Sequence, residues 1–544
     1  MSAPQSAAGK DHLKPLDGGR NSELAGSRPF TGKEYLASLN DGRNVFINGE
    51  RVDDVSSHPC FQNSARSIAR LYDAMHSEKY SNALMTRTDT GSGGLTHRFF
   101  KAARSGEDLA AQRDAIAVWA RLTYGWMGRS PDFKASLTNT FGPNAEFYGN
   151  QAGNARAWYK KVQETVPFIN HAIVNPPVDR GRSADTIRDI VIRVVKETDA
   201  GIYVSGAKVV ATGAAITQWN FVGQSGTTAA DDDSLALMFL LPVNSPGCKL
   251  ICRTSYEGIA AGHGAPWDYP LSSRFDENDS IFVLDNAFVS WEDVIVYRDL
   301  DMVRRFYNES GFLQGFALQA CTRYAVKLEF MAGLIARALR VTGGDAFRGN
   351  QVLLGEVISL RNVFWSLTEA MVGRPSPWKD GAVLPNFMAA ATFRQVMQSA
   401  FAKTREVTQK IIASALIYLP SSARDFSNPE IEPYLARYVR GSNGVTARER
   451  IKLMKLLWDA VGSEFSGRHE LYERNYAGNH EEVLLQALVL SERNGVMKQM
   501  EELVDTCMSE YDENGWTTDT WVQLGGSNND RNDQSFGNTA RSVS

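Results

Sequence analysis

Apolar side chains follow three successive patterns along this chain, and each predicts a different kind of structure. Up to residue 168 the spacing is mainly helical, with short helices expected over 31–39, 65–75 and 155–165. The clearest run is 108–126, where Leu109, Ile116, Trp119, Ala120 and Tyr124 share one face. Residues 45–52 break the pattern by running through Asn48-Gly49, the signature of a tight hairpin. After His171 the texture changes to short β-branched runs at 189–196, 202–212, 235–243, 248–254 and 281–296. Their spacing predicts an antiparallel barrel or sandwich, bent at Gly206. Helical periodicity returns from residue 300. The proline-free stretch 311–341 would span about 45 Å if continuous, and 351–371, 387–418, 447–463 and 481–508 complete a bundle. The expected class is α+β: a helical unit over 31–168, a β-barrel over 169–298 and a helical bundle of the four-helix type over 299–521. Residues 1–30 and 522–544 are polar and Gly/Ser/Asn-rich and read as loosely attached ends.

Composition narrows the class without naming a chemistry. At 544 residues, 43% hydrophobic and 22% charged, the chain has the balance of a soluble multi-unit globular protein. A formal charge of −4 gives no reason to expect nucleic acid or an anionic membrane as partner. No run reaches the length of a membrane span, and the first residues lack the apolar centre of a secretory signal. Five cysteines are too few for a disulfide framework in so long a chain, so a reducing cytoplasm is expected.

Several common chemistries leave no mark. There is no Gly-x-Gly-x-x-Gly, no Walker lysine loop and no Gly-x-Ser-x-Gly. The eight histidines form no metal-binding spacing, and Cys248 with Cys252 lacks a second pair for zinc. What remains are polar residues beside turns. Arg129 follows Gly128 and precedes Pro131, and His171 stands shortly before Pro176-Pro177. The two could converge on one cavity; equally, Arg129 could cap a helix and His171 could be an interior histidine. Residues 223–233 are small and polar, as in a mobile surface loop or a plain hairpin tip. The turn Ala477-Gly478-Asn479, before a helix starting near Glu481, could offer backbone N–H groups to a phosphate or simply cap that helix.

Over residues 31–520 the chain resembles the oxygenase component of the two-component, FAD-dependent phenol monooxygenases, the 4-hydroxyphenylacetate 3-monooxygenase family. The resemblance rests on Ser38-Leu-Asn-Asp-Gly-Arg-Asn-Val-Phe46, Gly128-Arg-Ser-Pro-Asp-Phe133, Asn170-His-Ala-Ile-Val-Asn-Pro-Pro-Val-Asp-Arg180, Gly206-Ala-Lys-Val-Val-Ala-Thr212 and Tyr472-Glu-Arg-Asn-Tyr-Ala-Gly-Asn479. It implies an acyl-CoA-dehydrogenase-like fold, usually assembled as a homotetramer. It also implies that Arg129 and His171 contact the phenolic oxygen of a substrate, with a positive donor stabilising phenolate and so activating the ring. A third family contact, a tyrosine, is Phe133 here, which implies a more apolar site. Gln224 and Ser225 would face the para-side group of the phenol. Flavin contacts would fall to His171, Ala172, Ile173, Pro177, Val178, Asp179, Arg180, Thr212, Ala477, Gly478, Asn479 and His480, with Thr212 near the reactive edge.

The implied reaction adds one atom of O₂ to the ring of a phenol through a flavin C4a-hydroperoxide. FADH₂ would diffuse from a separate NAD(P)H-dependent flavin reductase. Phenol, 4-nitrophenol, a halophenol and 4-hydroxyphenylacetate are all open as substrates. Other readings of the same architecture are an acyl-CoA-dehydrogenase-like flavoenzyme, which needs a catalytic carboxylate at the flavin, and a dehydratase, which needs clustered Cys/His ligands. A non-catalytic helical assembly protein is a further one.

Overall fold

The computed structural model describes residues 27–179, 187–224 and 232–522. The expected flavin contact Arg180, the expected substrate contact Ser225 and most of both chain ends lie outside the described residues. The chain divides at Arg474/Asn475 into two compact units.

In the first unit, helices begin where the sequence supplies a cap. Thr31 and Glu34 form a reciprocal capping box ahead of the Gly32–Ser38 helix. Ser105 accepts the Asp108 N–H at the start of Gly106–Leu122. That helix ends before Tyr124 and Gly125, both left-handed at φ 54° and 76°. Phe312–Thr342 is one continuous helix that stops at left-handed Gly343. Its first half is buried on all sides, and Gly315 allows a close neighbour: a Cβ there would lie 2.6 Å from the Ser136 carbonyl oxygen. The short Asp132–Thr138 helix, itself buried throughout, uses that approach. Arg348–Gly373 and Phe387–Ile412 follow as long helices of the bundle. The helix expected over 387–418 stops early, because Ala413 turns to φ 49°.

The β region is not the expected barrel. Six strands form one sheet in the order Glu50–Val52, Val45–Ile47, Cys248–Cys252, Asp279–Ser290, Gly201–Thr212, Arg193–Thr198. Four form another: Val294–Tyr297, Leu237–Pro242, Trp219–Val222, Ile169–Ala172. Among the described residues no edge strand of one sheet pairs with an edge of the other, so neither sheet closes. The physical reason is how the edges are filled. The hairpin around Asn48-Gly49 comes from the helical N-terminal region and takes the outer edge, Val45 pairing parallel with Leu250. A parallel pair, Ile169–Ala172 beside Trp219–Val222, ends the smaller sheet. Among the described residues no helix is long and apolar enough to cross a membrane.

In the second unit, the helix expected over 481–508 is two helices, His480–Arg493 and Val496–Met508, separated at left-handed Gly495.

Candidate active site

The turn that carries Arg129 is held by its neighbours rather than by regular structure. Ser130 donates its hydroxyl to Asp132 Oδ1 at 2.5 Å, and Gln319 Nε2 donates to the same oxygen at 3.3 Å. Burial pushes the Asp132 carboxyl up to about 6, partly offset by these bonds. The Arg129 backbone N–H donates to Glu277 Oε1 at 2.6 Å. Gly128 is needed beside it, because a Cβ would lie 2.3 Å from the Tyr472 hydroxyl. The guanidinium of Arg129 stands 3.9 Å from the centroid of the Phe133 ring and 5.7 Å from that of Tyr472. Arg129 is thus no helix cap: the preceding helix ended seven residues earlier, at Leu122.

His171 lies on a strand, not on a turn, with Phe221 as its parallel partner. Its ring meets the edge of Phe133 at 5.4 Å between centroids. Phe133 is buried, and Arg129 and His171 both adjoin its phenyl ring. A residue outside the expected set completes the group. Lys134 Nζ lies 2.5 Å from His171 Nδ1 and 4.5, 4.8 and 5.4 Å from the ring centroids of Phe221, Phe312 and Phe133. Among the described residues no carboxylate pairs with Lys134. Burial, and then Arg129, push the Lys134 ammonium well below its ordinary range. Burial also pushes His171 well down, reinforced by Lys134, Arg129 and Lys208.

Lys208, on the Gly201–Thr212 strand of the six-stranded sheet, is a second buried lysine. Its Nζ donates to Asn175 Oδ1 and Gln224 Oε1 at 2.7 Å each and to the Ile173 carbonyl at 3.2 Å. Burial brings it down to about 7. It ties the exit of the His171 strand to Gln224, which is fully buried and also donates to the Ile192 carbonyl at 3.3 Å.

Thr212 ends the long strand after a bulge. The register against Asp279–Ser290 shifts between Ser280 and Phe282, and Val210 in the bulge is left-handed at φ 55°, a strained state for a β-branched residue. The Thr212 hydroxyl donates to Asp279 Oδ1 at 2.6 Å. Arg468 pairs with the same carboxylate at 2.6 and 2.9 Å, and Arg253 at 3.0 Å. Although burial opposes ionisation, Arg468 and Arg253 hold Asp279 well below the usual carboxylate range. Arg468 also faces Glu277 at 3.7 Å, so one charged cluster underlies both Thr212 and the Arg129 turn.

The Thr212 hydroxyl oxygen also faces Arg468 Nη2 at 3.5 Å. That oxygen keeps lone pairs after donating to Asp279, and the nearby Val174 and Val210 are left uncovered, Val174 bridging to Val209. Ala172 is buried, Ile173 half-buried, and Pro177, Val178 and Asp179 are exposed along the same outgoing segment. Ala477, Gly478, Asn479 and His480 belong to the second unit. There Gly478 is at φ 110° and Asn479 caps the following helix by accepting the Glu481 N–H at 2.9 Å. Lys134, Lys208, Asp279 and Arg468 were not among the sequence candidates. No local pattern distinguishes them, since each acquires its partners only from distant strands or helices.

Two family models cover the chain: the 4-hydroxyphenylacetate 3-hydroxylase N-terminal model over residues 31–296 and the corresponding C-terminal model over 303–505. The chain is 53% identical over 506 residues to a 4-hydroxyphenylacetate 3-monooxygenase oxygenase component of Pseudomonas aeruginosa, covering 93% of this chain and 96% of that one. It is 53% identical over 490 residues to a 4-nitrophenol 2-monooxygenase oxygenase component of a Rhodococcus species, covering 90% and 94%. The crystal structure of a 4-hydroxyphenylacetate 3-monooxygenase oxygenase component with FAD and 4-hydroxyphenylacetate superimposes with a TM-score of 0.83 at 28% identity, covering 88% and 99%. An archaeal 4-hydroxybutyryl-CoA dehydratase shares the fold, with a TM-score of 0.75 at 19% identity.

Proposed function

Because the chain belongs to the 4-hydroxyphenylacetate 3-hydroxylase family, we propose that it is the oxygenase component of a two-component phenol hydroxylase. Reduced FAD, delivered by a separate flavin reductase, supplies the activated oxygen when bound. Relatives that act on 4-hydroxyphenylacetate and on 4-nitrophenol are equally similar, so the substrate class is a para-substituted phenol. The observation that carries the reading is the proximity of both Arg129 and His171 to the ring of buried Phe133.

The residues divide the work by their chemistry. Arg129 presents a fixed positive charge to the phenolic oxygen, favouring phenolate and raising electron density on the ring. His171 takes the same oxygen in a hydrogen bond. Phe133, Phe221 and Phe312 make a low-dielectric wall that strengthens both interactions and excludes water. Gln224, anchored by Lys208, would face the para-side group of the phenol. Thr212 and the 171–179 segment would hold the flavin ring. A homotetramer, as usual in this family, is the proposed assembly.

The test is rapid mixing of the protein and anaerobically reduced FAD with oxygenated buffer, with and without 4-nitrophenol or 4-hydroxyphenylacetate. Hydroxylated product in proportion to reduced FAD is expected. Arg129→Ala should keep FAD binding and lose about 100-fold or more in product formation, the scale of removing one transition-state donor. No flavin retention and no product from any phenol would overturn the reading.

A further inference from the structure

The contact between Lys134 Nζ and His171 Nδ1, at 2.5 Å, leaves room for a single proton between the two nitrogens. The position of that proton decides what the other ring nitrogen can do. With the proton on Nδ1, the lysine is a neutral amine and Nε2 is a hydrogen-bond acceptor. With it on Nζ, the lysine is an ammonium, Nδ1 accepts, and Nε2 carries a proton to donate. Lys134 occupies Nδ1, so Nε2 is the nitrogen left for a ligand.

Burial, the neighbouring cations and the lack of a carboxylate among the described residues disfavour a resident positive charge on the pair, and the phenyl rings offset this only in part. The Asp132–Thr138 helix contributes Phe133, and Asp132 on the same helix is already bonded to Ser130 and Gln319. The Trp219–Val222 strand contributes Phe221, and the Phe312–Thr342 helix contributes Phe312. The charged groups acting on the pair are two further cations, Arg129 and Lys208. A buried ammonium with cations and phenyl rings for neighbours gains a counter-charge only when an anion arrives.

We infer that Lys134 is a positioning residue that accepts the substrate's phenolic proton through His171, so that phenolate and ammonium form together on opposite sides of the imidazole. The transfer balances without a co-reactant. The phenol O–H bond breaks as a proton passes to Nε2, and the Nδ1–H bond breaks as a proton passes to the Nζ amine. The ring ends neutral, in the opposite tautomer, donating Nε2–H to the phenolate it helped to create. Depressed basicity at both nitrogens, from burial and neighbouring cations, keeps the relay in the deprotonated state before substrate enters. This inference rests on the phenol-hydroxylase reading.

The substrate analogue 4-nitrophenol reports its own ionisation, since only its phenolate absorbs in the visible. It is titrated into the full-length protein at a pH below its solution pKa, with bound phenolate read by absorbance and proton release by an indicator in weak buffer. The wild-type protein should bind phenolate without releasing a proton. In Lys134→Met the ratio of bound phenolate to bound phenol should fall about tenfold, equivalent to roughly one pKa unit. In Lys134→Arg, whose guanidinium cannot take up a proton, any bound phenolate should appear with one proton released per ligand. An unchanged ratio of bound phenolate to bound phenol in Lys134→Met, or silent proton release in Lys134→Arg, overturns the relay while leaving the hydroxylase reading intact. If the wild-type protein binds no phenol of a panel, both fall. A lysine that only filled space would alter affinity or melting temperature but not the ionisation of the bound ligand.

Discussion

Two buried lysines in this molecule have nearly the same surroundings and opposite electrostatics. Lys134 sits 2.5 Å from His171 Nδ1 with Phe221 and Phe312 rings at 4.5 and 4.8 Å. Lys327, in the bundle, sits 3.4 Å from His469 Nδ1 with Trp126 and Phe401 rings at 4.0 and 4.3 Å. The difference is Glu473, which accepts from Lys327 at 2.8 Å and from Arg323 at 2.9 Å. Burial alone lowers both lysines, but Glu473 limits the fall of Lys327 to about 8, whereas Lys134 goes well below its ordinary range. A buried lysine beside an imidazole is therefore not by itself a sign of function. The missing carboxylate marks the site where charge is meant to arrive.

That contrast can be broken by mutation. The largest effect is expected at Glu473→Gln, which leaves Arg323 and Lys327 buried without their carboxylate. A loss of about 3–5 kcal/mol in unfolding stability should follow, read as a lower denaturant midpoint. A loss within error would show that the bundle cluster is hydrated and the comparison mistaken.

A smaller effect separates Lys208, whose partners are neutral, from Lys327. Lys208 is held at about 7 against an ordinary 10.5. The unfolded chain therefore binds the extra proton between those values, and folding stability rises with pH across that window. The slope from this one group is at most about 1.4 kcal/mol per pH unit. Lys208→Met should add a constant loss from three broken hydrogen bonds and remove this contribution to the slope. A pH profile parallel to wild type would mean that Lys208 stays fully charged in the fold.

The smallest effect is expected at Lys134→Met. Methionine fits among the phenyl rings and carries no charge to desolvate, so stability should remain within about 1 kcal/mol of wild type. A loss on the scale of Glu473→Gln would place Lys134 with Lys327 as a structural cation.

Local signals and long-range consequences were unequally legible. The body of the Gly106–Leu122 helix and the hairpin at 45–52 could be read directly, because apolar spacing and Asn48-Gly49 act within a few residues, but the run expected to reach 126 stops at Leu122, where Tyr124 and Gly125 turn left-handed. Arg129 stood out because Gly128 and Pro131 mark its turn, and His171 because Pro176-Pro177 follows it. Lys134 did not stand out: it is one charged residue in a seven-residue helix, and its partner lies 37 positions away. The same holds for Asp279, which gathers Thr212, Arg253 and Arg468 from three separate elements.

By itself, the sequence determined the order of helical, β and helical regions, because periodicity and turn chemistry are local. Its family motifs determined the class of reaction. Tertiary structure alone decided that the strands form two open sheets, since closure depends on which edges meet rather than on any strand's pattern. It also decided which buried lysine meets a carboxylate and which meets only an imidazole and aromatic rings. Desolvation and charge pairing depend on neighbours brought from far along the chain, and no run of adjacent residues encodes them.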